Sequence, residues 1–295
     1  MTTDLADLNR MDLDRFTAAL GGTFDRAPWV AGEVYGQRPF ATVAALHEAM
    51  FKLVREAPHD RQMAFFGRNV DVLATGHAAQ AASITEDSRR EHALIGLDDW
   101  EDESSERFHR LGKQYEAKFG YPFVIAVLRY TRETMVAELE RRLQRNADEE
   151  FATTLDELFH ISRLRVVAKV TGKGVPAVNG RLSTHVLDTH AGRPAVGLAV
   201  ELLELAETGF RRIASAVTNA DGRTDQPLIA GRPLPIGRYE LRFAVGDHFR
   251  GRGIATADPP FLDIVPLRFS IAEPEGHYHV PLQCTPWSYS TYRGS

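Results

Sequence analysis

The stretch Thr171-Gly-Lys-Gly-Val-Pro-Ala-Val-Asn-Gly180 constrains this chain most, because a helix cannot run through it and the hydrophobic period changes across it. Glycine and proline at this density read as a linker. Before it, apolar residues recur at the three-and-four spacing of helices. Phe40, Val43, His47, Met50 and Val54 share one face, and Met135, Leu139 and Leu143 share another behind a Thr131 cap. Phe151, Leu155, Leu158, Ser162 and Arg165 form a third stripe. Arg165 there reads as an arginine near a helix carboxyl end, snorkelling and favoured by the dipole. After the linker the period is two. Tyr239, Leu241, Phe243 and Val245 alternate with polar or small residues, as do Val265, Leu267, Phe269 and Ile271, while Asn219-Ala-Asp-Gly222 and Gly192-Arg-Pro194 supply turns. The expected fold is multidomain, with an all-α helical domain over residues 1–168, a linker over 169–180 and an all-β sandwich over 181–295.

At 295 residues and 43% hydrophobic content the chain can build two cores. Its charge is uneven. Residues 1–165 carry 21 Lys+Arg against 28 Asp+Glu, a net −7, and residues 166–295 carry 14 against 12, a net +2. The acidic half lacks the basic face that phosphate binding needs, so no nucleic-acid partner is expected. The longest apolar run, Tyr121 to Leu128, is too short to span a bilayer, and no membrane association is expected. A single cysteine, Cys284, cannot close an internal disulfide, and the acidic start lacks the blocks of a signal peptide. A cytoplasmic location is the expectation.

The tail from His277 to Ser295 concentrates chemistry. Tyr278, Val280 and Leu282 alternate with His277, His279 and Pro281, so a strand here buries one apolar face and aligns both imidazoles on the other. Taken singly, such histidines are ordinary hydrogen-bonded residues, and Arg223 after Asp-Gly is an ordinary solvated turn residue. His185, His277 and His279 could instead hold zinc, although no carboxylate or thiol accompanies them in a ligand motif.

Four segments together change that reading: Leu182-Ser-Thr-His-Val-Leu-Asp188, Thr218-Asn-Ala-Asp-Gly-Arg223, His277-Tyr-His-Val-Pro-Leu282 and Tyr292-Arg-Gly-Ser295. Residues 180–295 thereby resemble the transthyretin-related 5-hydroxyisourate hydrolases. The resemblance implies a sandwich that assembles into a homotetramer with sites between subunits, and hydrolytic ring opening without cofactor or metal. It assigns catalysis to His185, Arg223 and His279, with Ser295 and Tyr292 completing the pocket. The residue types suit such chemistry, since imidazole titrates near neutral pH and can activate water, while a guanidinium can hold a developing oxyanion. A non-catalytic ligand carrier, like transthyretin, is the rival.

Upstream, Ala27-Pro-Trp-Val30, Gln37-Arg-Pro-Phe40, Tyr115-Glu-Ala-Lys-Phe-Gly-Tyr-Pro-Phe-Val124 and Leu158-Phe-His-Ile-Ser-Arg-Leu-Arg165 resemble the all-helical OHCU (2-oxo-4-hydroxy-4-carboxy-5-ureidoimidazoline) decarboxylases, over roughly residues 10–168. That family converts the hydrolase product to (S)-allantoin, and fusions in this order are known. The pattern departs at its centre. Where the family has a catalytic histidine followed by proline, this chain has Asn69 and Val70, and an amide cannot exchange a proton near pH 7. A second motif stands as Ser88-Arg-Arg-Glu-His92, keeping Glu91 but replacing glutamine with His92, and the binding arginine maps to Arg165. The resemblance thus implies substrate binding by Asn69, Ser88, Glu91, His92 and Arg165, with decarboxylation impaired or altered, or reuse of both domains on a urate-like analogue. His47, His59 and His77 have no motif support and are expected on solvated or helix-surface positions.

Overall fold

The computed structural model describes residues 2–24, 27–67, 85–97, 100, 102–254 and 256–294. Contacts divide the chain into two compact units, Met1–Leu128 with Met135–Val178, and Arg129–Thr134 with Asn179–Ser295.

The described α-helices that lie wholly or mainly in the first unit are α1 (Leu5–Leu8), α2 (Leu13–Ala19), α3 (Trp29–Val34), α4 (Val43–Arg55), α5 (His59–Phe66), α6 (Glu86–Leu94), α7 (Glu103–Phe119), α8 (Arg132–Leu143) and α9 (Ala147–Lys169). Their starts follow local chemistry. Thr42, Thr85 and Asp102 accept N3 amides with their side chains, and Asn146 with Glu149 forms a reciprocal capping box on α9. Gly120, at φ 81°, ends α7 in the left-handed conformation. Thr131 caps α8 as expected, its hydroxyl accepting from Thr134 N at 3.3 Å.

Two features of the first unit differ from the sequence reading. The linker region is partly ordered: Val170–Thr171 form β2, which pairs in parallel with β1 (Thr3–Asp4), and the carbonyls of Lys173 and Gly174 accept Val43 N and Ala44 N at 2.9 and 3.1 Å. Those are orphan donors of α4's first turn, so the segment caps a helix. Gly174 must be glycine there, since its φ is +65° and a Cβ would lie 2.6 Å from Thr42 Cβ. The buried side of α9 is also far more polar than its apolar stripe suggested. Glu150, Thr154, Glu157, Ser162 and Arg165 are all buried, while Phe151 and Leu155 are only half-buried. Each buried charge is met. Arg142, wholly buried, donates to Glu150 at 2.7 Å and to the Val124 carbonyl at 2.8 Å, Tyr115 donates its hydroxyl to Glu150, and Glu157 accepts Ala126 N at 2.8 Å.

The second unit contains β3 (Gly180–Ser183), β4 (Val186–Asp188), β5 (Arg193–Pro194), β6 (Ala199–Ala206), β7 (Gly209–Val217), β8 (Ile229–Arg232), β9 (Gly237–Ala244), α10 (Val245–Gly251), β10 (Ile264–Ile271), β11 (His277–His279), β12 (Leu282–Cys284) and β13 (Tyr289–Thr291). An antiparallel sheet in the order β10-β9-β6-β7 faces two smaller sheets, β11-β3-β8 and β13-β12-β4-β5. Leu202, Leu241, Phe243 and Val265 from the first meet Leu182, Val186, Tyr278 and Leu282 from the others in one core. Alternation in β9 stops one residue early: Val245 is buried, but it opens the helix α10.

His47 corrects an expectation. It lies on α4 at 1% exposure, with Nε2 2.9 Å from Ser162 Oγ, and Ser162 in turn donates to the Phe159 carbonyl at 3.1 Å. With the hydroxyl proton so committed, His47 donates through Nε2–H and is neutral. Burial, aided by Arg163 and His160, pushes its pKa down from 6.5 to about 4. His59 is exposed, and His77 lies outside the described residues.

Because the unfolded chain binds this proton more tightly, the contribution is fully present above pH 6.5 and fades as pH falls towards 4, by up to about 3 kcal/mol. Urea unfolding at a series of pH values should show that loss in the native chain, and a His47→Gln chain should lack it. Separately, Arg142→Met should destabilise the helical unit by about 3–5 kcal/mol, since it strands the buried Glu150 carboxylate; calorimetry reads this directly.

Candidate active sites

In the second unit, parallel pairing of β11 with β3 sets Tyr278 against Leu182 and His279 against Ser183. Tyr278 points into the core, where its hydroxyl accepts Ala272 N and Glu273 N at 3.0 and 3.1 Å. His277 and His279 take the other face, with ring centroids 6.4 Å apart. Both approach Ser183 Oγ, His277 Nε2 at 3.2 Å and His279 Nδ1 at 3.0 Å.

The tail closes on this face through its backbone. Gly294 N donates to the His279 carbonyl at 2.9 Å, and a Cβ on Gly294 would stand 2.5 Å from His279 Cδ2 and 3.1 Å from His279 Cβ and Cγ. Only glycine leaves room for the imidazole. A second bridge joins His185 to Arg223, and Val186 N donates to Gly222 O at 2.8 Å. Gly222 is again forced, by a φ of +72° and by Val186 O, which a Cβ would approach to 2.3 Å.

These pairings bring His185, Arg223 and His279 into one electrostatic group. Burial lowers the pKa of His279, and Arg223, His185, His277 and Arg181 lower it further. Burial and then Arg223 lower that of His185, against a hydrogen bond to the Asp221 main chain. Both rings are therefore neutral at pH 7 and can accept a proton. Tyr292 is exposed, and Ser295 lies outside the described residues. Among the described residues, no group of three or more His, Cys, Asp or Glu side chains is arranged to hold a metal ion. Sequence reading missed Ser183 and Arg181, whose partners are visible only once the register is known.

In the first unit, Arg165 at 4% exposure does not snorkel. Its guanidinium grips Glu91 with two bonds of 2.8 Å and donates to Ser88 Oγ at 2.9 Å and to Gly22 O at 3.4 Å. The apolar stripe carried a charge because a carboxylate on α6 meets it. Ser88 and His92, one helical turn apart, are both buried, and Asn69 and Val70 lie outside the described residues. A cavity of about 230 Å³ abuts this cluster, walled by Thr17, Gly22, Phe24, Ala27, Pro28 and Thr85 among others. Arg165 is not in its wall, but it touches Gly22, and Thr85 caps the helix that carries Ser88 and Glu91.

Residues 9–167 match the family model of OHCU decarboxylase, and residues 182–294 match that of the HIUase/transthyretin family. The 5-hydroxyisourate hydrolase of Deinococcus radiodurans is 57% identical over 114 residues, covering 39% of this chain and 95% of that protein. The 2-oxo-4-hydroxy-4-carboxy-5-ureidoimidazoline decarboxylase of Haloferax volcanii is 32% identical over 169 residues, covering 57% of this chain and 97% of that one. A crystal structure of (S)-allantoin synthase aligns over 99% of this chain and 100% of its own, at 30% identity and a TM-score of 0.50. The helical unit and the β unit are thus two recognised classes in one polypeptide. The chain belongs to the OHCU decarboxylase family and, through its carboxyl-terminal region, to the HIUase/transthyretin family. Among the described residues no helix is long and apolar enough to cross a membrane.

Gly294→Ala should displace the His279 ring while leaving the sandwich folded. The expected outcome is a shifted His279 imidazole signal in NMR with unchanged far-ultraviolet circular dichroism.

Proposed function

We propose that this chain acts in urate breakdown. Its carboxyl-terminal unit hydrolyses 5-hydroxyisourate to OHCU, and its amino-terminal unit is an OHCU decarboxylase-type domain whose formation of (S)-allantoin is impaired or altered by Asn69. What carries the first part is the shared group of His185, Arg223 and His279, two imidazoles whose pKa values are lowered and a cation whose backbone is bridged to His185. A neutral imidazole can take a proton from water as the oxygen adds to a ring carbonyl, and Arg223 can hold the oxyanion that forms. Collapse breaks the ring C–N bond, and the proton returns to the leaving nitrogen. A ligand carrier needs no base beside a cation, so the hydrolase reading is preferred.

For the helical unit, a carboxylate or ureido group could bind Arg165 only in exchange for Glu91, to which Arg165 is already paired. His92 is the nearby imidazole in the Ser88–His92 motif, and adjacent helix positions point in different directions, so it does not automatically take the role of a residue at 69. We further place the protein as a homotetramer through its β unit, as the hydrolase resemblance implies. A cytoplasmic location is supported by its one cysteine, Cys284, free and buried.

Two experiments test this. With 5-hydroxyisourate generated in situ by a uricase, the native chain should speed loss of the intermediate's absorbance, and His279→Ala should lower turnover by about two orders of magnitude or more; near-native decay in that variant would falsify the assignment. In the same assay followed by optical activity, Asn69→His should raise the rate of (S)-allantoin formation and His92→Gln should change little. Fast allantoin formation by the native chain, abolished by His92→Gln, would show that proton transfer has moved to His92.

A further inference from the structure

Ser183 has one hydroxyl proton and two ring nitrogens to satisfy. Its Oγ stands 3.0 Å from His279 Nδ1 and 3.2 Å from His277 Nε2, at 7% exposure, and these are its side-chain partners among the described residues. The contact is fixed by strand register, since His279 is paired with Ser183 and His277 with Arg181 along β11 and β3. The directions of the two hydrogen bonds are coupled. If the hydroxyl donates to His277 Nε2, its lone pair accepts Nδ1–H from His279, and Nε2 of His279 is left unprotonated. If it donates to His279 Nδ1 instead, the proton sits on Nε2 and that ring cannot act as a base. The two rings also differ in setting: His277 is exposed and His279 half-buried.

We propose that Ser183 is a positioning residue, which donates to His277 Nε2 and so holds His279 as the Nδ1–H tautomer with Nε2 open, and that His277 is the outer end of a relay from His279 through Ser183. The proposal rests on the reading of His279 as the base of a hydrolase. The proton balance is closed. When Nε2 of His279 takes a proton from water, the Nδ1 proton passes to Ser183 Oγ as the Ser183 proton passes to His277 Nε2. One positive charge thereby moves from the half-buried ring to the exposed one, away from Arg223 and His185, the two groups outside the relay that bear most on the charge of His279. His279 is left with Nε2–H, which protonates the leaving nitrogen as the C–N bond breaks, and return transfer from His277 restores the starting tautomers.

The test uses the full chain with Ser183→Ala, Ser183→Thr and His277→Gln, 5-hydroxyisourate as substrate, and nitrogen-15 NMR of labelled histidines as a readout independent of turnover. Ser183→Ala should lower kcat about 10- to 100-fold with KM little changed, and should convert His279 from the Nδ1–H form to a tautomer mixture. Ser183→Thr, which keeps the hydroxyl, should restore both. His277→Gln should lower kcat in dilute buffer and recover it as imidazole buffer is added, a dependence absent from the native chain. An Nε2–H tautomer in the native protein, or native kcat in Ser183→Ala, overturns the proposal. No hydrolysis by the native chain, with the Nδ1–H tautomer present and lost in Ser183→Ala, would sink the hydrolase reading and leave the positioning role standing.

Discussion

Buried charge is the constraint around which the helical unit is arranged. A helix that turns Glu150, Glu157 and Arg165 inward cannot pack against hydrocarbon alone, because an unpaired ion in a dry interior costs several kcal/mol. Each of these residues selects a partner on another element: Arg142 on α8, the Ala126 amide, Glu91 on α6. The pairings therefore set which helices lie beside α9 and how far along it they sit. They also make the arrangement specific, since sliding α6 by one turn would break a bidentate contact and not merely repack methyl groups.

The β unit solves a different problem. Its reactive face is assembled from short strands and turns, and the geometry of that face is imposed by backbone pairing. Parallel register aligns β11 with β3, an isolated bridge holds Arg223 beside His185, and another holds Gly294 under His279. Two glycines stand where any side chain would strike an imidazole or a carbonyl. Shape here is kept by what is omitted as much as by what is present.

Much of this was legible in the sequence, and the failures have physical causes. Hydrophobic period separated helices from strands correctly because the alternation of Tyr239, Leu241 and Phe243 and the spacing of Val43, Met50 and Val54 record burial itself. Period says nothing about partners. Thus Arg165, read from its stripe alone, was a snorkelling residue although a carboxylate 74 positions earlier meets it, and His47 read as solvated although a serine 115 positions later accepts its hydrogen bond. Ser183 escaped notice for the same reason, since its role exists only when two strands far apart in sequence fall into register. Val245 shows the complementary limit: it continues the alternation but begins a helix, because both states bury a valine.

The ordered start of the linker bears on where the helical unit ends. Strand β2 completes a pairing with β1, and the carbonyls of Lys173 and Gly174 saturate amides at the head of α4. A helical fragment cut at Lys169 would lose both, leaving β1 unpaired and bare donors at the head of α4. Residues 170 to 174 are therefore part of the helical unit's architecture, and a truncation meant to keep its fold has to fall downstream of them. The boundary between the two units lies several residues beyond the point where the helix stops.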